Sequence, residues 1–117
     1  MSNLPMGGAE IGPLLLVLTN LPDQASAQRL ASALVEQHAA ACVNILAPCT
    51  SMYRWQGKLE SASEVPLLIK TTRAAYPRLE ALVREHHPYE LPEIIAVPVE
   101  TGLTGYLQWV AQETRTT

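Results

Sequence analysis

The interval between apolar residues changes along the chain, and each change predicts the boundary of a helix or a strand. The run from Pro13 to Thr19 is apolar almost throughout and has the length of a strand, which is typical of a strand buried on both faces. Between residues 24 and 40 the apolar positions recur every three or four residues, which predicts a helix with one face on a core. Asp23 or Ser26 is the expected cap of this helix.

The rest of the chain repeats this order of elements. Pro48 interrupts the second strand, because proline cannot donate a hydrogen bond to a sheet ladder. Pro88 ends the second helix at His87, because a proline disfavours helical geometry in the residue before it. The predicted elements are a strand over 42–47, a hairpin over 51–59 that returns over 64–72, a helix over 74–87, a strand over 93–100 and a short helix over 103–110.

This order of elements, β-α-β-β-α-β, predicts an α+β protein with a ferredoxin-like fold. Right-handed crossovers place both helices on one face of a four-stranded antiparallel sheet. A long hairpin joins the second and third strands, and a short C-terminal helix closes the chain. Residues 1–12 contain Pro5 and three glycines and are predicted to be a flexible segment, which leaves residues 13–117 as a single domain. The other face of the sheet would be bare.

The composition indicates what covers this bare face. Of the 117 residues, 48% are hydrophobic and only 16% are charged, whereas an average soluble domain has about 25% charged residues. A domain of this size leaves a large share of its surface in water. The excess of apolar residues therefore predicts that part of the surface is buried against another subunit.

Composition and charge also exclude several classes of protein. Disordered chains are poor in apolar residues, and the longest apolar run, Leu14 to Leu18, is far shorter than the roughly 18 residues needed to span a membrane. A net charge of −3 argues against a nucleic-acid partner. No Lys or Arg precedes Arg29, which argues against a secretory signal peptide. We therefore expect a cytoplasmic protein in which Cys42 and Cys49 are reduced, buried structural thiols.

The densest group of chemically active side chains lies at the end of the second helix, where His86 and His87 precede Tyr89, Glu90 and Glu93. Two imidazoles could bind Cu or Zn. The alternative is structural: His86 continues the apolar face of the helix as a partly buried core residue, and His87 caps the negative end of the helix. A third interpretation uses His87 with Glu90 or Glu93 as the acid and base of a hydrolase. The sequence shows no placed nucleophile for that reaction.

Three further features could bind a ligand. Tyr53, Arg54 and Trp55 at the hairpin could stack against a ligand or anchor a subunit contact. Lys70 lies late in a strand and could bind an anion in a cleft or reach solvent. Cys42 and Cys49 are soft ligands that would suit Cu(I).

Several sequence blocks, in order along the chain, resemble the CutA divalent-cation-tolerance family. These blocks are Ala41-Cys42-Val43-Asn44, Ser51-x-Tyr53-x-Trp55-x-Gly57-x-Leu59, Glu64-x-x-Leu67-x-Ile69-Lys70-Thr71, His87-Pro88-Tyr89-x-x-Pro92-Glu93-Ile94 and Tyr106-x-x-Trp109. The resemblance implies a ferredoxin-like subunit in a tight homotrimer, similar in architecture to the PII signalling proteins. It also implies an association with tolerance to divalent metals, chiefly copper, and no enzymatic activity.

Residue by residue, the resemblance implies a metal site and a cleft between subunits. The metal ligands would be His86 and His87, and Thr19 stands where some bacterial members have a cysteine. Two imidazoles without a thiolate imply weak binding of Cu or Zn. The alternative function is that of a PII-like regulatory or scaffold trimer, which binds a small ligand or a protein partner at the inter-subunit clefts. The residues of the family pattern at that cleft are Tyr53, Trp55, Glu64, Lys70, Tyr89 and Glu90.

Overall fold

A computed structural model describes residues 13–116, so the segment 1–12 that was predicted to be flexible lies outside the described residues. Five strands and three helices alternate along this part of the chain. They are β1 (Leu14–Leu21), α1 (Gln24–Glu36), β2 (Cys42–Ile45), β3 (Cys49–Trp55), β4 (Lys58–Thr72), α2 (Tyr76–His86), β5 (Ile95–Val99) and α3 (Thr104–Glu113). The longest helix of the described chain has 13 residues, and none is long and apolar enough to cross a membrane.

The main sheet has the strand order β2-β4-β1-β5, and every neighbouring pair is antiparallel. This order places the first and third strands of the βαββαβ unit in the centre, as a ferredoxin-like fold requires. The predicted α+β fold, with its four-stranded antiparallel sheet and its C-terminal helix, is therefore confirmed. The hydrophobic core lies between this sheet and the helices α1 and α2, where Val17, Ile69, Leu30, Leu34 and Leu79 are fully buried.

Helix α1 begins as predicted but ends earlier. Asp23 caps it, since its carboxylate accepts a hydrogen bond of 2.8 Å from the backbone N–H of Ser26. The helix ends at Glu36, although the apolar spacing continues to residue 38. His38 has a φ of 60°, and the N–H of the next residue, Ala39, bonds to the carbonyl of Leu34. This left-handed residue and its 6→1 hydrogen bond form a Schellman motif, which stops the helix.

The predicted hairpin extends away from the main sheet as a two-stranded arm. The second predicted strand divides at Pro48 into β2 and β3, whereas β4 is a continuous strand of 15 residues. Within the described chain β3 pairs only with the first half of β4, and the second half of β4 belongs to the main sheet. The turn of the arm is of type I′, because Gln56 and Gly57 both have positive φ angles, of 52° and 82°.

A Gly57→Ala substitution is expected to lower the free energy of unfolding by about 1 kcal/mol. The cause is backbone strain, since a left-handed conformation costs a residue with a Cβ atom roughly 1–2 kcal/mol and no atom lies close enough to clash. Gly105 in α3 is the matched control: its surroundings are also open, but its φ is not positive. Gly105→Ala should leave stability unchanged or raise it by up to about 1 kcal/mol. Urea unfolding of both variants tests this, and equal losses would contradict the turn assignment.

The face of the main sheet that turns away from α1 and α2 is only partly covered. Helix α3 packs over one end of it, where Leu14 and Val110 are buried together. The remainder is half-buried on β1 and β4 and exposed on β5, so the first strand is fully buried on one face only and the prediction of burial on both faces is wrong for the single chain. We call this uncovered part the open face. Its apolar residues are Leu16, Leu18, Pro66, Leu68, Ile95 and Val97, and Lys70, Cys42 and Asn44 lie on the same face toward β2.

Candidate functional site: a cavity lined by carboxylates and aromatic rings

A cavity of about 700 Å³ lies between the arm, the end of β1 and the connector that follows α2. Its volume falls within the range of small-molecule sites. Five of the six residues predicted for a cleft between subunits line this cavity within a single chain: Tyr53, Trp55, Glu64, Tyr89 and Glu90. The complete lining is Asn20, Ser51, Met52, Tyr53, Trp55, Glu64, Pro88, Tyr89, Glu90, Leu91 and Glu93.

Glu64 lies at the junction between the arm and the main sheet. It is opposite Cys49 of the arm, whereas the next residue, Val65, is opposite Leu21 of the main sheet. The side chain of Glu64 is only 8% exposed. A hydroxyl of the connector meets it there, since Tyr89 donates a hydrogen bond of 3.0 Å to Oε2 of Glu64. The geometry therefore places a buried carboxylate in the wall of the cavity.

Tyr89 remains a proton donor across the whole physiological pH range. Burial, followed by the hydrogen bond to Glu64 and the negative charge of that carboxylate, raises the pKa of Tyr89 to about 12. Loss of the phenolic proton would leave two negative charges in contact, which is unfavourable away from water. The phenol is therefore fixed as a donor toward Glu64.

His87 holds the connector against the end of β1. Its Nε2 lies 2.6 Å from the backbone carbonyl of Asn20, and its Nδ1 accepts a hydrogen bond of 3.2 Å from the backbone N–H of Tyr89. A nitrogen that accepts carries no proton, so the proton is on Nε2 and is donated to Asn20. The ring also contacts that of Tyr89, with 4.8 Å between their centroids. Both nitrogens of the neutral imidazole are thus used by the backbone.

The structure reverses the expected environments of the two histidines. His86 was expected to be a partly buried core residue, and this is wrong because its side chain is exposed. His87 is the C-cap residue of α2, as predicted, and its backbone N–H donates a hydrogen bond of 2.8 Å to the carbonyl of Val83, but its ring is only 7% exposed and turns toward Asn20. The physical reason is that Pro88 forces His87 out of helical geometry, to a ψ of 132°, and the chain turns the second imidazole toward β1.

This arrangement does not suit a metal ion shared by His86 and His87. Neither nitrogen of His87 is free while its two backbone bonds hold. Thr19, the third position that the resemblance associates with a metal site, is buried on the core-facing side of β1. Among residues 13–116 no three His, Cys, Asp or Glu side chains lie close enough together to hold a metal ion.

The structure also lacks the contact between His87 and a glutamate that the acid–base interpretation requires. His87 directs its nitrogens to Asn20 and Tyr89 rather than to Glu90 or Glu93. Glu93 accepts a hydrogen bond of 3.0 Å from the side-chain amide of Asn20 instead. Glu93 and Asn20 thus extend a connected set of hydrogen bonds from the rim of the cavity to His87 and Tyr89.

Lys70 and the two cysteines lie outside the cavity lining. Lys70 donates hydrogen bonds to the amide oxygen of Asn44 and, over 4.0 Å, to the thiol of Cys42. Cys42 is half-buried, and Cys49 is exposed on the arm. The expectation of two buried thiols is therefore wrong, because β3 leaves the main sheet before Cys49 and no second layer covers it within the described chain.

Six residues of the cavity wall were not predicted to belong to a cleft. Asn20 was given no role, although it directly follows the apolar run 13–19 and bears the amide that reaches Glu93. Glu93 was considered only as a catalytic group. Ser51 and Pro88 stand in the family blocks but were assigned no place in the cleft, and Met52 and Leu91 carried no signal, because their contribution depends on how the arm folds against the connector.

Mild acid is expected to destabilise the protein through His87. Burial holds the pKa of His87 below its ordinary value of 6.5, because the charged imidazolium would lose its hydration. As the pH falls through about 6.5, the unfolded chain binds a proton that the folded chain does not, so the free energy of unfolding decreases until the lower folded pKa is passed. Urea unfolding between about pH 7.5 and pH 5.5 should show this decrease, and His87→Gln should lack most of it. The same decrease in both proteins would contradict the assignment.

Comparisons with known proteins place the chain in a family. The family model of the CutA1 divalent ion tolerance protein matches residues 15–113. The human protein CutA is 46% identical over 103 residues, which are 88% of this chain and 58% of the human protein. The solved divalent cation tolerance protein (Cut A1) of Thermus thermophilus has a TM-score of 0.86 at 44% identity and covers 87% of this chain and 99% of its own. A solved CutA of Archaeoglobus fulgidus, described as periplasmic, has a TM-score of 0.84 at 33% identity with the same two shares. The chain belongs to the CutA1 family of divalent ion tolerance proteins.

Proposed function

We propose that the protein acts as a homotrimer in tolerance to divalent cations, with the open face as the surface that joins its subunits. The open face is the observation that carries this proposal. Its strands present leucines from β1 and β4 together with Ile95 and Val97, which are 53% and 45% exposed in the single chain. Apolar patches of this kind mark interfaces between proteins, and the central part of a homo-oligomer interface is more apolar than the remaining surface.

The metal part of this function would rest on weak binding of Cu or Zn. His86 is the member of the predicted pair that supports it, because its imidazole is exposed at the end of α2, whereas His87 is committed to the backbone. A single imidazole supplies one ligand of the four that zinc usually takes, so the affinity should be low.

Calorimetric titration with Cu(II) and Zn(II) tests the metal part. We expect a weak heat in the wild type that disappears in His86→Ala and remains in the matched control Arg84→Ala, a neighbouring exposed residue that cannot ligate a metal. Heat that survives His86→Ala, or no heat in any of the proteins, would contradict the proposed ligand.

A second candidate function is that of a regulatory trimer that binds a small ligand in the cavity. The specific observation is the cavity of about 700 Å³, with Tyr53 and Trp55 in its wall. This function is not enzymatic, in keeping with the hydrogen bonds that occupy His87. A metabolite that raises the melting temperature of the wild type and of the control Arg84→Ala, on the exposed surface of α2, but not of Tyr53→Ala, would support it. Equal responses of the two variants would argue against the cavity.

We propose the cytoplasm as the location of the protein. The support is that Cys42 and Cys49, its two cysteines, are both unpaired in the structure. Unpaired thiols persist more readily in a reducing compartment.

A further inference from the structure

The charges around the cavity are all of one sign. Glu64 lies in its wall with an exposure of 8%, and Glu90 and Glu93 stand exposed at the rim. No Lys or Arg belongs to its lining among the described residues. Within that part of the chain, the hydrogen bond to Glu64 comes from a neutral group, the phenol of Tyr89. A buried carboxylate without a cation nearby is unfavourable, and a cation that entered the cavity would remove this penalty.

The rest of the lining suits an organic cation. Tyr53 and Trp55 are 43% and 41% exposed, so their rings are partly open to a ligand, and Tyr89 adds a third ring. An ammonium group is attracted to the face of an aromatic ring in addition to the carboxylates. The cavity volume of about 700 Å³ exceeds what a metal ion requires. No three His, Cys, Asp or Glu side chains of the described residues converge as metal ligands there.

We propose that the cavity binds a small linear diamine or polyamine, with one ammonium group at Glu64 and a second at the rim carboxylates Glu90 and Glu93. This proposal rests on the second candidate function, the binding of a small ligand, and names the class of that ligand. In this proposal the buried carboxylate and the exposed pair would serve as the two anionic ends, and the aromatic rings of the lining would contact the apolar part of the ligand. An anionic metabolite finds no complementary charge in this wall.

The probe for the test is 1,4-diaminobutane, titrated by calorimetry at neutral pH. We expect it to bind the wild type, whereas 1,4-butanediol, of the same length but without charge, does not. Glu64→Gln keeps an acceptor for Tyr89 but loses the charge, and its affinity should fall about 10- to 100-fold, as for the loss of a charged hydrogen bond. Glu85→Gln, on the exposed surface of α2 and outside the lining, is the matched control and should bind as the wild type does.

A second variant keeps the proposal testable if Glu64→Gln, which changes a buried residue, does not fold. Glu90→Gln/Glu93→Gln changes only exposed residues, and it should remove the advantage of the diamine over 1-aminobutane while leaving the weaker binding of the monoamine. Equal affinity of the diamine for the wild type and for both charge variants would overturn the proposal. So would the absence of binding to the wild type.

The oligomeric state must be measured on the same samples by light scattering. A monomeric wild type that binds the diamine would refute the trimer and leave this inference intact. A trimer that binds other metabolites at Tyr53 but not the diamine would refute the inference and leave the binding function intact. Diamine binding by a monomeric variant but not by the wild-type trimer would show that a side chain of another subunit occupies the cavity, and would also overturn the proposal.

Discussion

A Val97→Asp substitution is expected to convert the proposed trimer into a monomer and to lower the melting temperature of the protein strongly. Val97 lies on β5 opposite Leu16, in the open face, and is 45% exposed in the single chain. In the assembly the new carboxylate would be buried among apolar side chains of neighbouring subunits. The effective penalty for burying an unpaired ion is several kcal/mol, and a trimer would carry it in each subunit.

Light scattering and thermal unfolding of this variant provide the measurement. Ala81→Asp is the matched control, because Ala81 is exposed on α2, on the opposite side of the sheet from the open face. The control should remain a trimer with nearly the wild-type melting temperature. If Val97→Asp assembles as the wild type does, the open face is not the surface that joins the subunits.

A His87→Ala substitution is expected to lower the free energy of unfolding by about 2–4 kcal/mol. It removes two hydrogen bonds and leaves the carbonyl of Asn20 and the N–H of Tyr89 without their partner. Each lost bond costs about 1 kcal/mol, more where the remaining group stays buried, and the space of the ring adds a cavity. The connector would also lose the contact that holds Tyr89 toward Glu64.

His86→Ala is the matched control for the loss of stability expected in His87→Ala. The two histidines are adjacent, but His86 is exposed, so its loss should change the free energy of unfolding by no more than about 0.5 kcal/mol. Urea unfolding must be compared at equal protein concentration, because dissociation of a trimer contributes to the measured stability. Similar losses for the two variants would contradict the assigned roles.

The fold followed from local patterns that agree with its tertiary structure. The apolar spacing placed α1 and its cap at Asp23, and the hairpin signal at Gly57 corresponds to a type I′ turn. The predicted end of α1 was wrong because the helical spacing of apolar residues continues past the point where the backbone leaves the helix. His38 keeps the helical spacing of α1, yet it adopts a left-handed conformation and donates from Nδ1 to the carbonyl of Glu113 in α3. Periodicity carries no information about that distant partner.

The site was predictable only in part, because a sequence pattern does not show which residues meet in the folded chain. The family pattern identified five residues of the cavity wall, but it also included Lys70, which lies on β4 beside Cys42 and Asn44. Membership of the family pattern does not tell whether a residue lines the cavity or lies on a face of the sheet. The reversal of His86 and His87 could have been argued from Pro88, which forces the preceding residue out of the helix.

The most direct test of the account is the mass of the unmodified protein in solution. Native mass spectrometry at low micromolar concentration, on protein purified without added metal, reports the assembly and any bound ion or small molecule together. The proposed homotrimer predicts a species of three times the 12.8 kDa of one chain. A species at 12.8 kDa as the dominant form would contradict the account, because the leucines of the open face and Val97 would then remain in water.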